Sequence, residues 1–119
     1  PYLYDNRKRG KKQVDINEVT MLLSDIGFGK SSGRTLLAEA CLLYAKGTHK
    51  LQDITERIGE THGISSKQVY HRVWKVIQLA WNSPFRSPRM MYDTRVTKVC
   101  PSVKKFIKLF VEQKMGERS

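Results

Sequence analysis

Cysteine and long apolar runs are both scarce in this sequence, and each shortage excludes a class of protein. The two cysteines, Cys41 and Cys100, lack zinc-ligand spacing and are too few for a disulfide framework. No run of about 18 apolar residues is present, and no secretory signal is recognisable, so we expect neither a membrane-spanning nor a secreted protein. A reducing cytoplasm is the expected location.

Motifs for catalysis and metal binding are missing as well. The three histidines, His49, His62 and His71, form neither an HxxxH nor an HExxH pattern, and no Ser/His/Asp or Cys/His set is suggested. The string GFGKSSG contains Gly-Lys-Ser, but a phosphate-binding loop needs GxxxxGKS or GxxxxGKT after a strand, and a helical pattern precedes this one. We therefore expect no enzyme, no cofactor and no metal.

Acidic residues are few and unevenly placed. The chain has 22 Lys and Arg against 11 Asp and Glu, for a net charge of +11. Residues 1–12 carry a net +4, residues 13–62 a net −2 and residues 63–119 a net +9. Positive charge gathered into one arm and one half indicates a polyanionic partner. Nucleic acid is the first candidate, and an anionic membrane surface is the second.

The first twelve residues show neither a helical nor a strand period. We interpret residues 1–12 as a basic arm that adds minor-groove or phosphate contacts, or as an ordinary charged linker. Its basic side chains are Arg7, Lys8, Arg9, Lys11 and Lys12.

Residues 13–119 contain only helical apolar periods, which predicts an all-α domain of about six helices around a central helix-turn-helix. Asp15 and Glu18 have the spacing of a capping box at the first helix. Prolines and polar residues after Trp81 predict a loop, with a short helical turn near residues 89–93. Serines suited to N-caps precede three further helices: Ser31 or Ser32, Ser65 or Ser66, and Ser102.

The helix-turn-helix is predicted at about residues 50–81. Its first helix ends around His62 and Gly63, Ile64 anchors the turn, and the second helix covers about residues 66–81. The buried stripe predicted for this second helix is Val69, Val73, Val76, Ile77 and Ala80.

The opposite side of the second helix is polar and basic. No acid occurs between Thr61 and Met91, as a recognition helix requires, because a carboxylate there would meet phosphates. Lys and Gln can read base edges, and an aromatic ring can contact a thymine methyl. Packing against a neighbouring helix or a dimer partner explains Trp74 equally well. This outer face comprises Lys67, Gln68, His71, Trp74, Lys75 and Gln78.

Several short stretches, in order and spacing, are similar to those of one known family. They are LLSDIG, Gly33 followed by a Leu-rich helix ending near Tyr44, Asp53-Ile54, the set Val69, Ile77, Ala80 and Trp81, and TKVCPSVKKFIKLF. On these residues the chain, from about Ile16 to Met115, resembles the DNA-binding output domain of the sporulation master response regulator of spore-forming bacteria.

The resemblance implies a six-helix transcription factor domain that binds promoter DNA, often as two copies side by side. In the family an aspartate-phosphorylated receiver domain usually precedes this output domain. The family has Glu and Arg where this chain has Tyr70 and His71, and another Arg in place of Trp74. Because those positions read bases in the family, its operator sequence does not carry over.

Together these observations predict a cytoplasmic bacterial transcription regulator that binds double-stranded DNA. The alternative is a protein-interaction module that binds RNA polymerase or a partner regulator through Trp74, Trp81 and Phe85. In the DNA-binding interpretation, the side chains facing bases are Lys67, Gln68, Tyr70, His71, Trp74 and Lys75, with Gln78 on the same face. Those contacting phosphates are Arg72, Lys104, Lys108 and the basic residues of the arm.

The charge distribution predicts that duplex binding depends steeply on salt. Each phosphate that the protein neutralises adds about −0.9 to the slope of log K against log salt concentration. Deleting residues 1–12 should make the slope shallower and weaken binding to all sequences alike, which fluorescence anisotropy at several salt concentrations can measure. A flat salt dependence, or no duplex binding at low salt, would count against a DNA partner.

Overall fold

Five α-helices form the part of the chain that the structure, a computed structural model, describes: residues 15–93, 95 and 97–116. They are α1 (Ile16–Asp25), α2 (Ser32–Ala45), α3 (Leu51–His62), α4 (Ser66–Trp81) and α5 (Val103–Phe110). A 3₁₀ turn, Pro88–Met91, lies close to the predicted short turn, and a π-helical turn, Val111–Met115, continues α5. The described residues contain no strand, and the all-α prediction is confirmed. The arm at residues 1–12 lies outside them.

Local capping interactions explain where most of these helices begin. At α1 the Asp15 carboxylate accepts from the Glu18 N–H at 2.9 Å, and the Glu18 carboxylate accepts from the Asp15 N–H at 3.3 Å. This capping box satisfies two backbone donors that the helix itself cannot pair. Ser65 and Gln68 form a second box at α4, at 3.1 and 3.0 Å. Single serines, Ser31 and Ser102, cap α2 and α5.

Helix α2 occupies the centre of the fold and contacts α1, α3, α4 and α5. Aliphatic side chains from the first four helices meet three aromatic rings here. The Phe28 and Phe106 ring centroids lie 5.6 Å apart, and those of Phe106 and Phe110 lie 5.9 Å apart. Burial of this apolar surface is the main stabilising term of the fold. The predicted α4 stripe is buried at Val69, Val73, Ile77 and Ala80, with Val76 half-buried at its edge.

Glycine lets α2 approach the back of α4 closely. A Cβ atom at Gly33 would lie 2.9 Å from the Val76 Cβ and 3.1 Å from the Arg72 carbonyl oxygen. Gly27, with φ of 104°, brings the turn after α1 equally close to the loop after α4, since a Cβ there would meet the Arg86 oxygen. These contacts hold the inner side of α4 against the rest of the domain.

The turn between α3 and α4 spans three residues, 63–65, within the range where the sequence predicts a helix-turn-helix. Gly63 ends α3 in the left-handed region, with φ of 71° and ψ of 31°, which glycine adopts without steric cost. The Ile64 N–H then donates to the Gly59 carbonyl at 3.0 Å, and the half-buried Ile64 packs against the core. The turn therefore closes directly onto the last part of α3.

Trp81 does not belong to an exposed aromatic patch, contrary to the patch suggested for a protein-interaction module. Its side chain is only 5% exposed and lies edge-on to Tyr92, with ring centroids 5.3 Å apart. The Ser87 hydroxyl donates to the Trp81 carbonyl at 3.0 Å, so the loop folds back over the end of α4. Phe85, in contrast, is 89% exposed.

Membrane spanning was not expected from the sequence, and no helix in the described ranges combines the length and apolarity needed to cross a bilayer.

Substituting Gly59 should test the α3–turn contact. A Cβ at Gly59 would lie 2.5 Å from the Ile64 carbonyl oxygen, a backbone atom that cannot move cheaply. The overlap should outweigh the gain of about 1 kcal/mol in helix propensity, so we expect Gly59→Ala to lower the free energy of unfolding by about 1–3 kcal/mol. Urea denaturation measures this change.

Gly29→Ala is the matched control, because nothing lies within 4 Å of a Cβ at Gly29. It should leave stability unchanged or raise it slightly. If Gly59→Ala proved as stable as Gly29→Ala, the tight packing of the turn onto α3 would be wrong.

Candidate nucleic-acid interface

Helix α4 presents the predicted binding side chains to solvent. Seven of the eight residues proposed on this helix are exposed, and Gln78 is half-buried. The buried stripe runs along the opposite side, so a ligand can reach the outer face without disturbing the core. The exposed seven are Lys67, Gln68, Tyr70, His71, Arg72, Trp74 and Lys75.

Two aromatic rings stack on this outer face. The His71 and Trp74 ring centroids lie 6.1 Å apart with an interplanar angle of 27°. Trp74 is 40% exposed, and so is Tyr70, which lies one helical turn before it. Packing within this chain therefore leaves a large part of the Trp74 indole accessible. The exposed part of the ring is open both to a duplex and to a dimer partner, the two intermolecular contacts that the residue pattern left open.

Gln68 is committed to the N-terminal cap of α4. Its carbonyl oxygen accepts from the Ser65 N–H at 3.0 Å and lies 3.4 Å from the Ser65 hydroxyl. A bidentate contact with adenine uses both the oxygen and the amide nitrogen of a Gln side chain. The cap restrains the Gln68 side chain and competes with such a contact, whereas Lys67, His71 and Lys75 take no part in the cap.

Helices α3 and α4 differ in the charged side chains that they carry. Helix α4 carries three cations, Lys67, Arg72 and Lys75, and no acid. The exposed side of α3 carries carboxylates at Asp53, Glu56 and Glu60. Helix α3 also carries the exposed Arg57, and Glu56 and Glu60 line one surface cavity with Ser66 and Gln68 at the start of α4. A polyanion is therefore attracted to the part of α4 beyond its first turn.

A side-chain contact ties the end of α3 to α2. His62 Nε2 lies 2.9 Å from a Glu39 carboxylate oxygen, with each side chain about one-third exposed or less. The sequence predicted a solvent-exposed His62, and the contact with Glu39 is a feature that it did not indicate. Because His62 immediately precedes the turn, this pair helps to position the start of α4.

The basic residues proposed outside α4 are only partly described. Lys104 and Lys108 are exposed on α5, whose inner side is buried against α2 and α4. Exposed positive charge is therefore present on α5, a helix that packs against α4. The arm residues Arg7, Lys8, Arg9, Lys11 and Lys12 lie outside the described residues.

Ionisable groups with perturbed pKa values lie away from the outer face of α4. Burial raises the pKa of the Cys41 and Cys100 thiols. Burial, followed by the nearby charge of Cys100, raises the pKa of Tyr92 to about 12. Arg95 lowers the pKa of Asp93 by hydrogen bonding. The thiols and the phenol are thus protonated at neutral pH, the form in which they are poor nucleophiles and bases. Among the described residues, no group of three His, Cys, Asp or Glu side chains could hold a metal ion.

Comparisons with known protein families, curated proteins and solved structures find no match to this chain. The resemblance to the sporulation regulator output domain therefore rests on the sequence stretches quoted above.

Two features of the interface were not anticipated from the residue pattern. One is the role of Gly59, although glycines four residues apart, at 59 and 63, were a visible signal of a tight helix-to-turn contact. The other is the Gln68 cap. Ser65 followed three residues later by Gln is a recognisable capping box, and it competes with base reading for the same side chain.

Tryptophan fluorescence should locate the bound duplex. In the wild-type protein, a duplex on α4 covers the exposed Trp74, so acrylamide should quench the emission less after DNA is added. In Trp74→Phe the remaining tryptophan is the buried Trp81, so acrylamide should quench weakly with and without DNA. Unchanged wild-type quenching at saturating duplex would place the DNA elsewhere on the protein.

Proposed function

We propose that this protein is a transcription regulator that binds double-stranded DNA and reads its sequence with α4 in the major groove. The observation that carries the proposal is the two-sided character of α4. Its inner stripe is buried, and its outer face is exposed, basic and free of carboxylates. The major groove is about 12 Å wide and admits a single α-helix of this kind.

The turn geometry supports this orientation. Gly59, Gly63 and Ile64 hold α3 and α4 in a tight helix-turn-helix, and α2 covers the back of α4 at Gly33. A recognition helix has to be held rigidly, because base contacts depend on placing side chains accurately. In the family that the chain resembles, the corresponding domain binds promoters as two copies side by side. We extend a cytoplasmic location and that arrangement to this protein as part of the proposal.

Different side chains take different roles in the complex. Lys67, His71 and Lys75 follow one another at four-residue intervals, so they form a row along one line of the helix. This row faces base edges. Arg72 on the flank of α4, and Lys104 and Lys108 on α5, contact phosphates, which positions the protein without reading sequence.

A second candidate function is docking of RNA polymerase or a partner regulator. The observation that favours it is the exposure of Phe85 in the loop after α4, of Met90 in the following 3₁₀ turn and of Leu79 near the end of α4. Exposed apolar side chains of this size are typical anchors of protein interfaces. This surface lies beyond the base-facing row, so docking and DNA binding are compatible.

Binding specificity separates base readers from phosphate contacts. We expect Lys67→Ala and His71→Ala to reduce the discrimination between a selected site and random DNA, by about 1–3 kcal/mol for a good bidentate contact. Lys104→Ala and Lys108→Ala should lower affinity for both duplexes equally, because phosphates carry no sequence information. The site comes from selection in a random duplex library, and titrations measure the affinities.

The α5 variants are the matched controls, since they remove exposed side chains from a neighbouring helix. If neither Lys67→Ala nor His71→Ala altered discrimination, α4 would not read sequence, and the docking function would be favoured instead.

A further inference from the structure

The stacked aromatic pair on α4 suggests which base the protein requires. We propose that Trp74, held by His71, contacts the C5 methyl group of a thymine in the major groove, so that the preferred site contains an obligatory thymine at that position. The inference rests on the proposed function, because it assumes that α4 lies in the groove.

Exposure of Trp74 is the first observation. An indole left 40% exposed keeps apolar surface in water, whereas Trp81 on the same helix is 5% exposed. The fold thus buries one of its two tryptophans and leaves the other on the surface with the basic side chains. A large apolar side chain in such a place gains free energy when a ligand covers it.

The position of Trp74 among the charges is the second observation. His71 lies midway between Lys67 and Lys75, and its ring stacks on the Trp74 indole, with centroids 6.1 Å apart. The two rings form one aromatic slab that starts within the basic row and extends to the flank of the helix, and the Trp74 indole supplies its apolar surface. Stacking restricts the rotamers of Trp74 before binding, which lowers the entropy lost when it contacts DNA.

The chemical groups on the major-groove edges of the bases indicate which base Trp74 contacts. The indole has a single donor and no acceptor, so it cannot form the bidentate hydrogen bonds that identify guanine or adenine. The thymine methyl is the one apolar group on the major-groove edges of the four bases. A cytosine at the same position has only a hydrogen atom at C5 in place of the methyl, so the indole would lose this apolar contact. The slab therefore favours thymine over cytosine.

Deoxyuridine tests this contact, because it lacks only the thymine methyl. After selecting the preferred duplex, each thymine is replaced in turn by deoxyuridine and the affinity is measured. At one or two positions we expect a loss of about fourfold, which corresponds to about 0.8 kcal/mol for one buried carbon group. The other thymines should tolerate the replacement.

Variants assign the effect to Trp74. In Trp74→Ala the thymine and deoxyuridine duplexes should bind equally well, whereas Phe85→Ala, which removes an exposed aromatic side chain outside α4, should retain the fourfold difference. Thermal melting checks that both variants are folded. The deoxyuridine scan with the wild-type protein needs no variant, so it decides the proposal even if Trp74→Ala is unstable.

The outcomes separate this inference from the proposed function. Failure to select any preferred duplex would overturn the proposed function itself. A preferred duplex in which every thymine can be replaced without loss would leave sequence-specific binding intact and overturn the thymine contact. A fourfold difference that persists in Trp74→Ala would assign the methyl contact to another residue and also overturn it.

Discussion

The close contact between α3 and the turn that follows it determines where α4 points. The Ile64 N–H donates to the Gly59 carbonyl, and a side chain at Gly59 would collide with the Ile64 carbonyl oxygen. Gly63 supplies the left-handed residue that reverses the chain within three residues. With α2 pressed against the back of α4 at Gly33, α4 has little freedom to rotate, and the residues that it buries define its outer face.

The electrostatic character of the domain follows from this orientation. Helix α4 carries Lys67 and Lys75 and no acid, whereas α3 carries a net negative charge, and Glu56 and Glu60 border the start of α4. This difference in charge steers a polyanion towards α4 during encounter. The stacked His71 and Trp74 place aromatic rings among these basic side chains. In the proposed complex they add a contact that depends on base identity to contacts that depend only on charge.

Local interactions made much of the fold predictable from sequence. The capping box at Asp15, the serine cap of α4 and the buried stripe of α4 depend on residues three or four apart, so spacing alone indicated them. Burial of Trp81 could not be predicted in this way, because it depends on Tyr92, which reaches it only after the 3₁₀ turn folds back. The contact between His62 and Glu39 likewise joins residues that are distant in sequence. At the candidate site, helical geometry predicted which side chains are exposed. Helical geometry gave no indication that the side-chain oxygen of Gln68 accepts a hydrogen bond from the Ser65 N–H.

The position of α4 in a DNA complex is the central claim, and amide chemical shifts measured by NMR address it directly. A ¹⁵N-labelled protein titrated with its selected duplex should show the largest shift changes at residues 66–78, with small changes at the acidic side of α3. Largest changes on the acidic side of α3, or in the loop around Phe85 with α4 unaffected, would contradict the account.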